Sequence, residues 1–470
     1  MEIQKLLHLP EGKTLERKRD ISSPANIVKT LVAFANSAGG ALVLGVEDNG
    51  EVVGVQSPLD EEERLCNIIA DSIRPRLVPN VEMVSVAEKT LLVVEVFPSN
   101  NRPHWVGSEG PQSGVYVRLG SSNRQADPQL VEELRRGVQG TPFDTQPMVE
   151  LTPEDLDQRA LQETLGEHLA LTESSLKTLK LLVPDQGKLV PSRGAILLFG
   201  RERTFHFPDA WVQCGRFIGT TKAQIFDHIE ISNPLPEALE NTLLFLKKHA
   251  MRGADFSQPR RRDVWSIPLE ILREAIVNAL VHSDYSQRGA PIRVAFFDDR
   301  IEVENPGILL PGLTVEEMKQ GVSRIRNPVI ARVFRELHLV EQWGSGVPRI
   351  FQQAEELGLP EPQIREMGLR FRLSVFFTAK TPHVREQVPV QVTEQVAKLL
   401  GFLEEKPLAT GELMEYLGLK HRPTFRENYL EPARKMGLVQ MTQPGSPRSP
   451  TQKYTLTQKG KKWRNKGSEG

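Results

Sequence analysis

Residues 271–286, ILREAIVNALVHSDYS, place Leu272, Ala275, Ile276, Ala279 and Leu280 at helical spacing, which predicts a helix with one apolar face over a core. Glu274 and Asn278 are four residues apart and therefore share a face of that helix. A carboxylate above a carboxamide suits Mg²⁺ and phosphate chemistry. The amide oxygen is a hard, neutral ligand, and the carboxylate can orient or deprotonate a water. Glu and Asn also meet at this spacing on many solvated helices, so the assignment depends on the neighbouring sequence.

That sequence is informative. PIRVAFFDDRIEVENPG (291–307) alternates in the β pattern and predicts a hairpin turning at Asp298 and Asp299. Asn305, Pro306 and Gly307 close it with a tight turn. An irregular segment with Gly312, Gly321 and the run SRIRN comes next, followed by a short helix from about Pro328 to Leu337. In EQWGSGVPRI, Gly344 and Gly346 precede a further helix. Glycines there let backbone N–H groups approach a phosphate, whose charge the helix N-terminus favours. FRLSVFF (371–377) reads as a closing strand.

Helix with Glu and Asn, strand pair, Gly turn, loop, Gly-rich turn, helix and strand: this order resembles the GHKL-type ATP-binding fold, in the divergent form labelled RecG-like C-terminal. The resemblance implies that Glu274 is the general base, Asn278 the Mg²⁺ ligand, and Asn305 with Gly307 the adenine-binding element. It makes Gly344 and Gly346 the second glycine box. Asn305 stands where many members have Asp, and its amide accepts a hydrogen bond more weakly than a carboxylate does. No G-x-x-x-x-G-K-[ST] phosphate loop occurs in the chain, so a helicase motor is not expected.

With 470 residues, 39% of them hydrophobic, the chain is long enough for about three domains. Net charge is −1, so a nucleic-acid surface has to be local. Cys66 and Cys214, far apart and outside any metal-ligand spacing, fit a reducing compartment. No apolar run approaches a membrane span and the N-terminus carries charge, which predicts a cytoplasmic protein.

The first domain is expected to end near Gly137. Residues 24–37 read as an amphipathic helix, ALVLGVE as a buried strand, and Asp48-Asn49-Gly50 as a hairpin turn into EVVGV. A second strand pair is expected near TLLVVEVF and VYVRLGSSNRQA. Glu11, Glu16 and Asp48, with Lys18, could gather around a metal for phosphodiester cleavage, or could be a solvated charge run and a turn residue. Glu11, Glu16 and Lys18, then Phe34, Asn36, Gly39 and Gly40, then Leu44, Gly45, Val46, Asp48 and Gly50 resemble the Schlafen (AlbA-like) domain over about residues 8–137. Some relatives use two Glu and an Asp as an RNA-cleaving metal site. The resemblance therefore admits catalysis by Glu11, Glu16 and Asp48 beside nucleic-acid or structural contact. Arg118 and Arg124 are open as phosphate contacts or ordinary loop residues.

Residues 141–153 read as a linker, and 151–262 as alternating helices and short strands without a catalytic constellation. His206 and His228 stand alone, and the basic run QPRRRD (258–263) is taken as solvated. His282 and Asp284, just after the Glu274 helix, adjoin the expected site.

Beyond a second break at about 379–390, three helices and two strands, GLVQMT and KYTLT, predict a winged helix-turn-helix. Residues 420–470 hold twelve Lys and Arg against three Glu, a net +9 that leaves −10 on the remainder. A basic module on an acidic body is the footprint of DNA binding. Arg422, Thr424, Arg426 and Asn428 start its third helix and are the candidate nucleic-acid contacts.

The whole predicts a mixed α/β multidomain protein: Schlafen-like domain at 1–140, an α/β region with the ATP-binding domain at 150–380, and winged helix at 391–470. The expected function is an ATP-binding, DNA-binding transcription regulator with Mg²⁺ as cofactor. A metal-dependent nuclease controlled by ATP, with RNA as substrate, is the alternative. A second copy of the chain is the further expected partner.

Overall fold

The computed structural model describes residues 3–255, 262–340, 344–376, 394–403, 406–419, 421–435, 437–443, 451–457 and 460–461. The architecture is mixed α/β. The chain forms two compact units, Met1–Ala379 and Lys380–Gly470.

At the start of the larger unit, strands Leu15–Lys18, Gly40–Leu44, Lys89–Val96 and Asn80–Val86 lie side by side in that order, the first pair parallel. The helix Pro24–Asn36 covers this sheet. Ile27, Val28, Leu31 and Phe34 recur at helical spacing and are buried against Leu42, Leu44, Leu92 and Val94. The turn at Asp48-Asn49-Gly50 forms, its arms joined by a bridge between Val46 and Val52 and by the N–H groups of Glu47 on the Glu51 carbonyl and of Val53 on the Gly45 carbonyl, both at 2.9 Å. Strand 89–96 pairs with 80–86, and Tyr116–Leu119 with Ser122–Gln125 in a separate hairpin, so the two strands expected as partners belong to different sheets.

The second sheet has six strands in the order Ile225–Ile231, Val212–Phe217, Ile292–Phe296, Arg300–Pro306, Arg370–Phe376 and Gln363–Met367. The hairpin turns where the sequence places it: Phe296 faces Ile301, and the Phe297 N–H bonds the Arg300 carbonyl at 2.8 Å. The helices Leu235–Ala250 and Leu269–His282 bury their apolar faces over this sheet. Leu239, Leu246, Ile271, Leu272, Ile276 and Leu280 share one core with Val212, Val294 and Val303.

The stretch read as a linker is built into that core. Phe143–Thr145 is a single 3₁₀ turn whose Asp144 is fully buried. Its carboxylate accepts the N–H groups of Val329 (2.6 Å) and Ile330 (3.1 Å), the orphan donors opening the helix Pro328–Glu336. Burial pushes this carboxyl up to about 7 against those bonds. Local sequence hides such a cap, because cap and helix lie some 185 residues apart.

In the smaller unit, helices Glu394–Phe402 and Thr410–Tyr416 precede a helical stretch made of Arg422–Phe425, a π turn at Arg426–Leu430, and Glu431–Lys435. Strands Leu408–Ala409, Lys453–Leu456 and Val439–Met441 form a three-stranded sheet in that order. Its own core holds Leu399, Leu400, Leu413, Phe425, Leu430, Val439 and Leu456.

Among the described residues no helix is long and apolar enough to cross a membrane. Cys66 and Cys214 are free thiols, the second buried and pushed up to about 12 by that burial. His228 is exposed. Arg260 and Arg261 of the basic run lie outside the described residues.

Candidate functional site

Glu274 and Asn278 stand on the helix Leu269–His282, whose Ile271, Leu272, Ile276 and Leu280 are buried. The two polar residues share its other side, and Asn278 Nδ2 donates to Glu274 Oε1 at 3.0 Å. That bond commits the amide nitrogen, so Oδ1 is the atom Asn278 can offer to a cation. Both residues face a cavity of about 380 Å³ that Asn305, Gly307, Gly344 and Gly346 also line. This is the size range of small-ligand sites.

The glycines are there because side chains would not fit. A Cβ on Gly346 would overlap the Glu274 carboxylate, so the start of the helix Gly346–Glu356 approaches the Glu274–Asn278 pair as only bare backbone can. Gly307 has φ +102°, and a Cβ there would collide with the Arg326 guanidinium. Gly344 approaches the Gly321 carbonyl of the loop opposite, which brings the two rims of the cavity together.

Asn305 is buried at the end of strand Arg300–Pro306, and its Nδ2 donates to the Pro306 carbonyl at 3.1 Å. This fixes the amide, leaving its oxygen as an acceptor suited to an exocyclic amino group. Apolar walls come from Ile308, Leu309, Leu313 and Ile350, and cations from Arg324, Arg326 and Arg335. Arg324 is exposed; Arg326 is buried and occupied. Arg326 donates to the carbonyls of His282 (2.8 Å) and Ile308 (2.5 Å) and pairs through Nε with Glu133 at 2.7 Å. His282 lines the cavity as a neutral ring, pushed down to about 4 by burial and by Arg326. Asp284 is buried outside this cavity and accepts from the Ser286 backbone and hydroxyl and from Gln287.

The loop from residue 308 to 326 is held in part by residues of the N-terminal region. Gly312 donates its N–H to the Ser37 carbonyl at 3.0 Å, directly after the Phe34–Asn36 motif. Glu366 accepts from the Leu309 N–H at 2.8 Å and from Lys13 Nζ at 2.6 Å. Ile308 shares a small core with Val115, Val117, Leu130 and Leu134.

The expected acidic metal cluster is not formed. Glu16 is buried between Arg118 Nη2 (2.5 Å) and Lys18 Nζ (2.6 Å). Glu11 accepts the Arg17 N–H at 2.8 Å, and Asp48 is exposed on its turn. Among the described residues no three His, Cys, Asp or Glu side chains gather to hold a metal. The physical reason is Arg118. It is 1% exposed, donates to the Gly12 carbonyl and to Asn123, and needs the Glu16 carboxylate as its buried counter-charge. Arg118 is therefore no phosphate contact, whereas Arg124 is exposed. Asn36 is likewise architectural, clamping His104 and Tyr116 through three backbone bonds.

In the smaller unit Arg422 and Arg426 are exposed one turn apart, while Phe425 between them is buried. Thr424 is bonded to His421 at 2.8 Å, and the Asn428 side chain lies outside the described ones.

Comparison with known proteins matches three stretches of the chain. Residues 11–127 match the family model described as "Schlafen, AlbA_2", and residues 289–375 the one described as "Putative ATP-dependent DNA helicase recG C-terminal". The second match begins after the Glu274 helix. Residues 394–457 match the model "Filamentation induced by cAMP protein Fic-like, C-terminal domain". No curated protein matches. Among solved structures, the N-terminal domain of a RecG-related protein from Nitrosomonas europaea is similar at 30% identity, over 26% of this chain and 90% of that one, with TM-score 0.22. A Corynebacterium diphtheriae protein is similar at 21% identity over 99% and 98% of the two chains, with TM-score 0.44. A Fic family protein from Desulfovibrio desulfuricans is similar at 19% identity over 71% and 77%, with TM-score 0.14. With its N-terminal motifs matched and an ATPase-type domain following them, the chain belongs to the Schlafen AlbA_2 proteins that carry a RecG-like C-terminal domain.

Proposed function

We propose that the chain is an ATP-responsive, DNA-binding transcription regulator. The observation that carries this reading is the convergence of Glu274, Asn278, Asn305, Gly307, Gly344 and Gly346 on one cavity. The residues present fit Mg-ATP. Gly346 lets the backbone opening its helix come up to the Glu274–Asn278 pair at the cavity wall, Asn305 offers an acceptor at the other wall, and Arg324 faces the same space. Bound Mg²⁺ supplies charge neutralisation for the phosphates. In this reading Asn278 is its protein ligand and Glu274 orients water. Weak hydrolysis and a long-lived bound state are both compatible with this set.

The smaller unit is read as a winged helix. Helices and sheet follow the required order, and Arg422 and Arg426 project from the third helical stretch. Nucleotide held by the loop 308–326 changes what that loop offers to the N-terminal domain and to an assembled second copy, and so the DNA affinity of the basic unit. The nuclease reading gains no support, since Glu16 is spent on Arg118.

Calorimetric titration of Mg-ATP into the intact chain and into Asn278→Ala tests the site. Binding that the variant loses is expected, and a wild type that binds no ATP at millimolar concentration sinks the proposal. Duplex-DNA affinity measured across a salt series, with ATP, with ADP and without nucleotide, tests the output. A log–log salt slope of about −0.9 per neutralised phosphate is expected, with an offset between nucleotide states.

A further inference from the structure

A second cavity, of about 230 Å³, lies behind the nucleotide site and shares its wall. Pro306 and Asp284 line it, while Asn305 and Gly307 line the first cavity; the Asp284 N–H bonds the Pro306 carbonyl at 2.9 Å. Phe143, Met148, Phe207 and Ile292 make its floor apolar. Into it opens Arg193, which is half-buried and stacks at 4.5 Å on the Phe143 ring. Arg136 lies 5.4 Å from the same ring.

Arg193 differs from the arginines that are committed to ion pairs. Arg118, Arg326 and Arg370 each hold a carboxylate. Among the described residues, the Arg193 guanidinium makes neither an ion pair nor a hydrogen bond, and its neighbour Arg136 is a like charge. Arg136 spends one donor on Ser286 Oγ, at 3.2 Å. Of the carboxylates at the wall, Asp284 is consumed by Ser286 and Gln287, and Asp209 forms no ion pair among the described residues. The Arg193 guanidinium nitrogens reach solvent without a protein partner among the described residues, and a planar oxyanion entering the cavity can take two of them bidentately. At the wall Asp209 is offset by Arg288, which leaves the single positive charge of Arg193 for the occupant to match. The volume falls below the roughly 300–1,000 Å³ of drug-sized sites, so the occupant is about the size of a single ring.

We propose that this second cavity binds a small monocarboxylate with a flat apolar body, its carboxylate on Arg193 and its body against Met148, Phe207 and Ile292. The proposal does not depend on nucleotide binding at the first cavity.

The test is titration of the full chain with benzoate, followed by calorimetry and ligand-observed NMR, with benzamidine and benzyl alcohol as isosteric controls. Saturable benzoate binding is expected, with both controls weaker by about tenfold or more, the scale of a lost charge-assisted hydrogen-bond pair. Arg193→Gln is expected to lose benzoate by a similar factor, with Arg193→Lys between it and the wild type. Asn278→Ala, which alters only the first cavity, should bind benzoate as the wild type does. An unchanged circular dichroism melt of Arg193→Gln establishes that its loss is local. Equal binding of benzoate and benzamidine, undiminished binding by Arg193→Gln, or no saturable benzoate binding by the wild type overturns the proposal.

Discussion

Replacing Glu133 by Gln should change how stability depends on pH more than it changes the structure. Glu133 sits on the helix Pro128–Gln139, packed against Arg326 with 12% of its side chain exposed, and has Asp284 and Arg136 as its other charged neighbours. Burial pushes its carboxyl up to about 7, with Asp284 adding to the rise and Arg326 and Arg136 opposing it. A carboxyl whose folded-state value lies above its unfolded value of 4.5 stabilises most below pH 4.5, and that contribution disappears as pH rises through about 7. At about 1.36 kcal/mol per pH unit, the difference between these values is roughly 3 kcal/mol. Gln keeps the shape and an acceptor for Arg326 but cannot titrate. The stability of Glu133→Gln relative to wild type should therefore rise by up to about 3 kcal/mol between pH 5 and pH 8, several degrees in melting temperature. Differential scanning calorimetry of both full chains at four pH values, following the transition of the larger unit, measures this. Asp144 titrates in the same window in both proteins and cancels in the comparison. Parallel curves would refute the reasoning, because they would mean that the buried carboxylate costs the fold nothing.

Gly346→Ala should fold normally yet weaken Mg-ATP binding about tenfold by calorimetry, since its Cβ displaces Glu274 at an overpacking cost of about 1–3 kcal/mol. Glu16→Ala should destabilise the larger unit by about 3–5 kcal/mol in thermal melts, because Arg118 is left buried without its counter-charge. Any loss of nucleic-acid cleavage in that variant would thus report unfolding unless the melt is measured beside it. Asp144→Ala should cost about 1–2 kcal/mol through the lost cap on the helix Pro328–Glu336, read as a lower melting temperature at pH 5, and the deficit should shrink as pH rises through about 7, where the buried carboxyl ionises in the wild type.

What was legible in the sequence is what local periodicity encodes. The Glu274–Asn278 face, the hairpin at Asp298 and Asp299, and the glycine turns each follow from spacing within a short window, and the cavity joins them. What was not legible depends on partners remote in sequence. Glu16 looked like a ligand because nothing near it announces Arg118, 102 residues away. The 141–153 stretch looked like a linker because the donors that Asp144 satisfies belong to a helix in another part of the chain. The strand partners near TLLVVEVF were misassigned for a related reason: alternation fixes which residues face inward, but not which neighbouring strand they meet.

The loop over the cavity lined by Glu274 and Asn278 is where the two family-matched regions of the larger unit meet. Its backbone is anchored at Gly312 by Ser37, at Leu309 by Glu366 together with Lys13, and near its end by Arg326 on Glu133. The anchors Ser37, Lys13 and Glu133 come from the N-terminal region, and Ser37 follows a motif whose Asn36 is itself locked by three backbone bonds. A ligand shifts a conformational equilibrium only by binding its states unequally. For a nucleotide in this cavity, the state it prefers is thus defined partly by the Schlafen-type domain. Loosening that domain's grip, as Lys13→Ala does by removing the partner of Glu366, should lower ATP affinity without touching a single residue of the cavity wall.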